Sequence, residues 1–241
     1  MELIDVVCYI SAARRVFKLC QSFFYMKSKQ VKNIDLWKKV LNDLPASYKS
    51  WFEDEKKFLH KYITKNALVL EVGCGDGRSV KDLLDITQNI TAIDHDQKAV
   101  DDASNNFKEY PSIKIIWADA MNIPLKNKMF DFVLCLTTFA NFGDNKYKIL
   151  EEMKRVLKKD GTIIISVFSE DAFKERMKVY KRLSSIKKII DHRTVIFDGK
   201  SENIVSEQFS KEELKEIFQK VNLKIDDIQK SGIGYICGLS K

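Results

Sequence analysis

A chain of 241 residues, 45% of them hydrophobic, has material for one large α/β domain with an extension, or at most two small domains. Only three prolines and nine glycines occur, which excludes a long flexible linker or low-complexity segment, and no internal repeat is present. The net charge of +7 is compatible with an acidic partner and equally with a plain lysine-rich surface.

Cys8, Cys20, Cys74, Cys135 and Cys237 are odd in number and form no CxxC or Cys/His cluster. That argues against a disulfide framework or a zinc site and fits a reducing cytoplasm. Met1 to Ala13 are apolar but carry Glu2 and Asp5, whereas a secretory leader opens with basic residues. Arg14 and Arg15 interrupt the run before a bilayer is spanned, so a soluble, cytoplasmic protein is expected.

Helical spacing of Ile4, Val7, Ile10, Ala13, Phe17 and Phe24 predicts a first helix over about 3–24. A second runs over about 34–44, ahead of Pro45, and a third over about 48–63 with Trp51, Phe52, Phe58, Leu59 and Tyr62. Residues 1–64 are therefore expected to form a helical extension or cap. Strands and helices then alternate. Strands are expected at 67–72, 90–94, 113–119, 130–136 and 162–168, and helices at 78–86, 98–110 and 147–157. Such alternation implies parallel pairing through right-handed crossovers, hence a doubly wound Rossmann-like sheet. After a variable stretch, Ser210 with Glu213 three residues on predicts a capped helix over 211–221. Two strands at 223–229 and 235–239, joined near Ser231-Gly232, predict an antiparallel hairpin at one edge. The expected architecture is an α/β fold: seven strands, mostly parallel, the hairpin last, with 65–241 as the core.

Chemistry concentrates after the first strand, in Glu71-Val72-Gly73-Cys74-Gly75-Asp76-Gly77. A strand, a glycine loop and a helix start bind polar ligands because the backbone approaches closely and presents free N–H groups. A dinucleotide site wants its third glycine one position later, where Arg78 stands. Asp94 closes the second strand 21 residues after Gly73. A carboxylate there can accept from both ribose hydroxyls of a nucleoside.

The third strand ends at Asp119-Ala120-Met121, and the combination becomes specific. Residues 69–77, Ala92-Ile93-Asp94, Ala118-Asp119-Ala120, residues 130–135 and residues 153–161 together resemble the class I S-adenosylmethionine-dependent methyltransferases of small-molecule type. The resemblance covers roughly 65–168 and extends to the C-terminus through the last helix and hairpin. It implies S-adenosyl-L-methionine as cofactor and S-adenosyl-L-homocysteine as product. It further implies that the backbone from Gly73 through Cys74 to Gly75 lines the methionine portion, with Gly77 also in the cofactor site and Glu71 beneath the loop. Asp94 is implied to bind the ribose and His95 to lie beside the adenine. Asp119 would accept from the adenine amino group, with Ala120 and Met121 near the ring. Leu136 and Thr137 would reach the methionine side and the entrance to the acceptor. Tyr48, or Trp51, is expected to fold over the cofactor from the N-terminal helices.

No catalytic side chain is declared by motif. His192 is the candidate base, in the variable stretch beside Arg193. Cys135 lies inside an apolar strand and reads as an inert thiol. Phe139, Phe142, Phe168 and Phe173 either line an apolar acceptor pocket or belong to the core. Thr137-Thr138-Phe139-Ala140-Asn141 follows the fourth strand, where amino-methylating nucleic-acid enzymes of the family tend to show Asn/Asp-Pro-Pro-aromatic. A small-molecule acceptor, with an acidic one in view, is therefore expected. Residues 169–208 are expected to form a substrate cap. Nine Lys/Arg against three Asp/Glu between Lys174 and Lys200 keep nucleic acid, such as tRNA, as the alternative partner. A cofactor-binding module without catalysis is a further alternative, and a dehydrogenase a more distant one. Oligomeric state is not readable.

Overall fold

A computed structural model of the chain describes residues 43–182, 185–198 and 203–241. The first expected helix, nearly all of the second, Cys8 and Cys20 lie outside these residues.

Helix α1 (Ala46–Tyr62) opens the described chain, followed by β1 (Val69–Val72), α2 (Arg78–Asp82), β2 (Ile90–Asp94), α3 (Gln97–Asn106) and β3 (Lys114–Trp117). Then come β4 (Phe130–Leu136), two 3-10 turns (Phe139–Asn141 and Gly143–Asn145), α4 (Lys146–Val156) and β5 (Leu157–Phe168). Next are α5 (Phe173–Tyr180), β6 (Ile186–Ile190), β7 (Thr194–Phe197), β8 (Ile204–Ser206), α6 (Lys211–Lys220), β9 (Lys224–Ser231) and β10 (Gly234–Ser240).

Seven strands form the main sheet in the order β3-β2-β1-β4-β5-β10-β9. β1 pairs in parallel with β2 and β4, β2 with β3, and β4 with β5. β10 runs antiparallel to both β5 and β9. The sheet and its C-terminal hairpin are thus as expected. All four residues of β1 are buried, because a central parallel strand is covered on both faces and reads as a continuous apolar run. Glu71 is the one polar residue in that run, which marks it before any site is considered.

The strand order reverses between β2-β1 and β1-β4, so the loops after β1, β2 and β4 converge at one carboxyl end of the sheet. That crevice is where open α/β sheets take their ligands. α6 begins as its sequence indicates: Ser210 Oγ accepts from Glu213 N while the Glu213 carboxylate accepts from Ser210 N.

Three differences from the sequence expectation have local causes. α2 is one short turn rather than a helix to residue 86. β5 begins at Leu157 and runs through Asp160-Gly161, where a loop was expected. Leu157 pairs with Phe130 but Thr162 with Phe132, so an irregularity absorbs the extra residues. Gly161 permits it, since a Cβ there would lie 2.8 Å from the Asp131 carbonyl oxygen. Third, residues 169–208 carry α5 and a second sheet, β6-β7-β8, antiparallel throughout. This sheet is hooked onto the turn after β4: Glu207 N donates to the Ala140 carbonyl at 2.9 Å and Asn141 Nδ2 to the Val205 carbonyl at 2.6 Å.

Among the described residues, no helix is long and apolar enough to cross a membrane. No group of His, Cys, Asp and Glu there is arranged to hold a metal ion. Cys74, Cys135 and Cys237 are free and buried.

Candidate functional site

The glycine loop owes its shape to backbone conformations that side chains resist. Gly73, Gly75 and Gly77 have φ of 77°, 57° and 91°, in the region open mainly to glycine. A Cβ on Gly73 would lie 2.3 Å from Thr138 Cγ2, and one on Gly77 2.1 Å from Phe107 Cε2. The loop is fastened to β2 by Gly73 N and Cys74 N, which both donate to the Ile93 carbonyl, at 2.8 and 3.1 Å. Thr138 Oγ1 donates to the Gly73 carbonyl at 2.9 Å, which joins the loop to the end of β4.

Asp94 stands at the end of β2, beside the loop. Its Oδ2 accepts from Gly75 N at 2.9 Å and its Oδ1 from Asp96 N at 2.9 Å. Each oxygen keeps a lone pair for a further donor. His95 is exposed, with Nδ1 3.5 Å from Asp94 Oδ1. Burial raises the Asp94 carboxyl above its ordinary value, and the neighbouring His95 and the two backbone donors oppose that rise.

At the end of β3, Asp119 Oδ1 accepts from Met121 N at 2.8 Å, a local turn that fixes an exposed carboxylate. Ala120 and Met121 are half-buried beside it. Ala118 N donates to the Asp94 carbonyl at 2.9 Å, so the β2 and β3 ends are tied together.

Glu71 is buried beneath the loop. Ser79 Oγ donates to its Oε1, and Oε2 has no hydrogen-bond partner among the described residues. Burial raises its carboxyl to about 8, against the donor Ser79 and the charge of Arg78. A carboxyl that is protonated more readily in the folded state stabilises the fold fully below its unfolded value. That stability is lost as pH rises toward the folded value. Glu71→Gln, neutral at every pH, should therefore flatten the fall in stability between pH 5 and pH 8, by at most about 1.4 kcal/mol per pH unit. Thermal melts of both proteins across that range check it; parallel curves would contradict it.

The end of β4 carries Leu136, buried, and Thr137, whose φ of 61° is an outlier for a branched side chain. Thr137 N is held by the Ser166 carbonyl at 3.1 Å and by Ser166 Oγ at 2.8 Å. Such strain persists where the surroundings over-determine it and tends to sit at functional sites. The Cys135 thiol is fully buried and pushed well up by that burial, as suits an inert thiol.

α1 lies against this carboxyl end. Glu55, buried, accepts from Ser166 Oγ at 2.5 Å and pairs with Arg78 Nη2 at 2.6 Å. The Arg78 guanidinium also sits 4.1 Å over the Phe52 ring. The position a dinucleotide site gives to glycine is thus taken by a side chain committed to α1. Nothing in the sequence pattern isolated Glu55 or Ser166; the only signal was a carboxylate on the apolar face of α1.

Tyr48 meets Phe52, the ring beneath Arg78, edge-on at 6.5 Å between centroids, and Trp51 stacks on the same ring at 5.6 Å. Both pack on Phe168, at 5.9 and 5.1 Å between centroids. His192 lies in the turn between β6 and β7, exposed, with φ of 53° and its ring edge-on to Phe173 at 5.0 Å. The four phenylalanines divide. Phe139 packs with Phe142, Phe209 and Phe218, whereas Phe168 belongs with the α1 aromatics and Phe173 with His192.

The sheet order, with β10 antiparallel beside β5, is that of a seven-stranded α/β fold whose ligand crevice lies at the glycine loop. Residues 70–165 match a methyltransferase domain model. An uncharacterized protein of Methanocaldococcus jannaschii is 31% identical over 158 residues, 61% of this chain and 69% of that one. A probable ribosomal RNA small subunit methyltransferase A of Methanococcus maripaludis is 32% identical over 106 residues, 42% of this chain. This chain spans only 40% of that relative's length. The fold is shared with a solved 1,6-didemethyltoxoflavin-N1-methyltransferase of Burkholderia thailandensis, whose crystal holds 1,6-didemethyltoxoflavin and S-adenosylhomocysteine. The TM-score is 0.61 at 18% identity, covering 94% of this chain and 88% of that one. Residues 70–165 thus carry a methyltransferase domain, set in the fold that solved S-adenosylmethionine-dependent methyltransferases share.

Proposed function

We propose that the protein transfers a methyl group from S-adenosylmethionine to a small-molecule acceptor held over the carboxyl ends of β4 and β5. The cofactor supplies a methyl made electrophilic by its sulfonium, and the chain supplies alignment. Orientation of this kind is worth roughly 7–11 kcal/mol in favourable cases.

The residues fit the cofactor. Asp94, held open by Gly75 N and Asp96 N, would bind the ribose hydroxyls, with His95 at its edge. Asp119 would accept from the adenine amino group beside Ala120 and Met121. Gly73, Cys74, Gly75 and Gly77 would admit the methionine portion. The unpartnered Oε2 of Glu71 suits a cationic amino group. Leu136 and Thr137 would bound the reacting end. Residues 65–241 act as the core, with α1 from the extension and residues 169–208 as cap. A proton acceptor is required only if the acceptor atom carries a proton to lose.

One observation carries the preference for a small molecule. Five of the nine cations of the basic stretch have partners within the chain, and Arg176 is buried. Arg176 bonds to the Ser206 and Arg193 carbonyls, Lys178 to Glu175, Arg182 to Asp43, Lys187 to Asn203 and Arg193 to Glu213. A nucleic-acid surface needs such cations free for phosphates. The likeness to ribosomal RNA methyltransferases favours the second reading, RNA methylation. Incubation with methyl-labelled S-adenosylmethionine and, separately, a metabolite extract or total RNA decides between them. Label is expected in the metabolite fraction. Label in RNA, with binding that falls steeply between 50 and 200 mM salt, would overturn the small-molecule reading.

A further inference from the structure

Arg176 of α5 is fully buried, and its hydrogen-bond partners are neutral. Nη1 donates to the Arg193 carbonyl at 2.7 Å and to Gln208 Oε1 at 2.8 Å. Nη2 donates to the Ser206 carbonyl at 2.6 Å and to Ser206 Oγ at 3.0 Å. The guanidinium lies 4.8 Å over the Phe168 ring and 5.3 Å over that of Tyr180. Among the described residues no carboxylate pairs with it, and its Nε–H has no partner. A buried charge without a counter-charge is costly and is ordinarily paired.

Two more donors share the same surroundings. Tyr48 Oη and Trp51 Nε1 are buried and have no hydrogen-bond partner. Tyr48 and Trp51 pack on the same Phe168 ring that Arg176 covers. Such orphaned donors are rare in folded proteins and call for a reason. Three of them around one ring point to a common one.

The location agrees. Ser166 and Phe168 are two apart on β5 and so face the same way. Ser166 Oγ holds both Thr137 N and Glu55. Along α1, Tyr48 and Glu55 lie seven residues apart, two helical turns or about 10 Å. The orphaned donors are thus linked to the end of β4 through Phe168 and Ser166.

We infer that Arg176, Tyr48 and Trp51 form the binding subsite for an anionic group of the acceptor, a carboxylate on a flat apolar body. This rests on the methyltransferase reading and names its substrate class. The carboxylate accepts from Arg176 Nε, Tyr48 Oη and Trp51 Nε1, while Phe168 covers the flat part. Entry parts α1 from α5, whose contact includes the hydrogen bond from Ser47 Oγ to Glu175 Oε2 at 2.8 Å.

The test uses benzoate as probe and benzamide as its neutral counterpart, titrated by calorimetry into protein saturated with S-adenosylhomocysteine. Benzoate is expected to bind at least about tenfold more tightly than benzamide. Tyr48→Phe and Arg176→Gln should each weaken benzoate about tenfold or more, and Arg176→Gln should leave S-adenosylhomocysteine affinity unchanged. Tyr48→Phe removes a hydroxyl with no partner in the fold, so its melting temperature should not fall, and it carries the test if Arg176→Gln does not fold. Equal affinity for the two probes, no benzoate binding, or unchanged benzoate affinity in Tyr48→Phe would overturn the subsite. If the wild type fails to bind S-adenosylhomocysteine at all, the methyltransferase reading itself fails instead.

Discussion

Asp94→Ala should raise the dissociation constant for S-adenosylhomocysteine by roughly 10- to 150-fold, the equivalent of about 1.5–3 kcal/mol for hydrogen bonds to a charged group. Two losses combine. The carboxylate is the acceptor proposed for the ribose hydroxyls. It is also the anchor of Gly75 N and Asp96 N, so its removal loosens the loop that shapes the rest of the site. Calorimetry on the folded variant, with its helix content checked by circular dichroism, measures the effect. A dissociation constant within twofold of wild type would remove Asp94 from the site.

Gly75→Val should be more severe. Gly75 has φ of 57°, where an L-residue costs about 1–2 kcal/mol and a branched one is a true outlier. The loop can relieve that strain by turning, but the turn takes Gly75 N away from Asp94. It also sets a branched side chain where the backbone was open to ligand. Loss of S-adenosylhomocysteine binding by about 100-fold or more is expected from strain of about 1–3 kcal/mol added to the lost contact. Gly75→Ala should fall between wild type and valine. A valine variant that binds normally would show that the loop is not the cofactor seat.

Much of this was readable in advance, for identifiable reasons. β1, β2 and β4 are central strands whose burial on both faces forces apolar runs, so their positions stood out. The glycines stood out because positive φ narrows the choice of residue, and Asp94 because its distance from Gly73 is set by one helix and one strand. Ser210 and Glu213 announced α6 through a capping pattern confined to four residues.

What stayed hidden depends on contacts between distant parts of the chain. Glu55, Ser166 and Arg78 meet across 111 residues of sequence, and no local pattern encodes that meeting. Arg176 looked like one more cation of a basic segment, yet it is buried and bonded to neutral groups. The Ile186–Ile190 strand is an edge strand with two lysines and the Thr194–Phe197 strand has only four residues, so their alternation was too brief to stand out from a variable loop. The packing of Tyr48 on Phe168 joins residues 120 apart in the chain, which spacing along the sequence does not encode.

The most direct test of the account is a calorimetric titration of the wild-type protein with S-adenosylhomocysteine and, separately, with NAD. A single S-adenosylhomocysteine site with a dissociation constant of about micromolar order, and no heat from NAD, is the predicted result. Binding of NAD without binding of S-adenosylhomocysteine would contradict it.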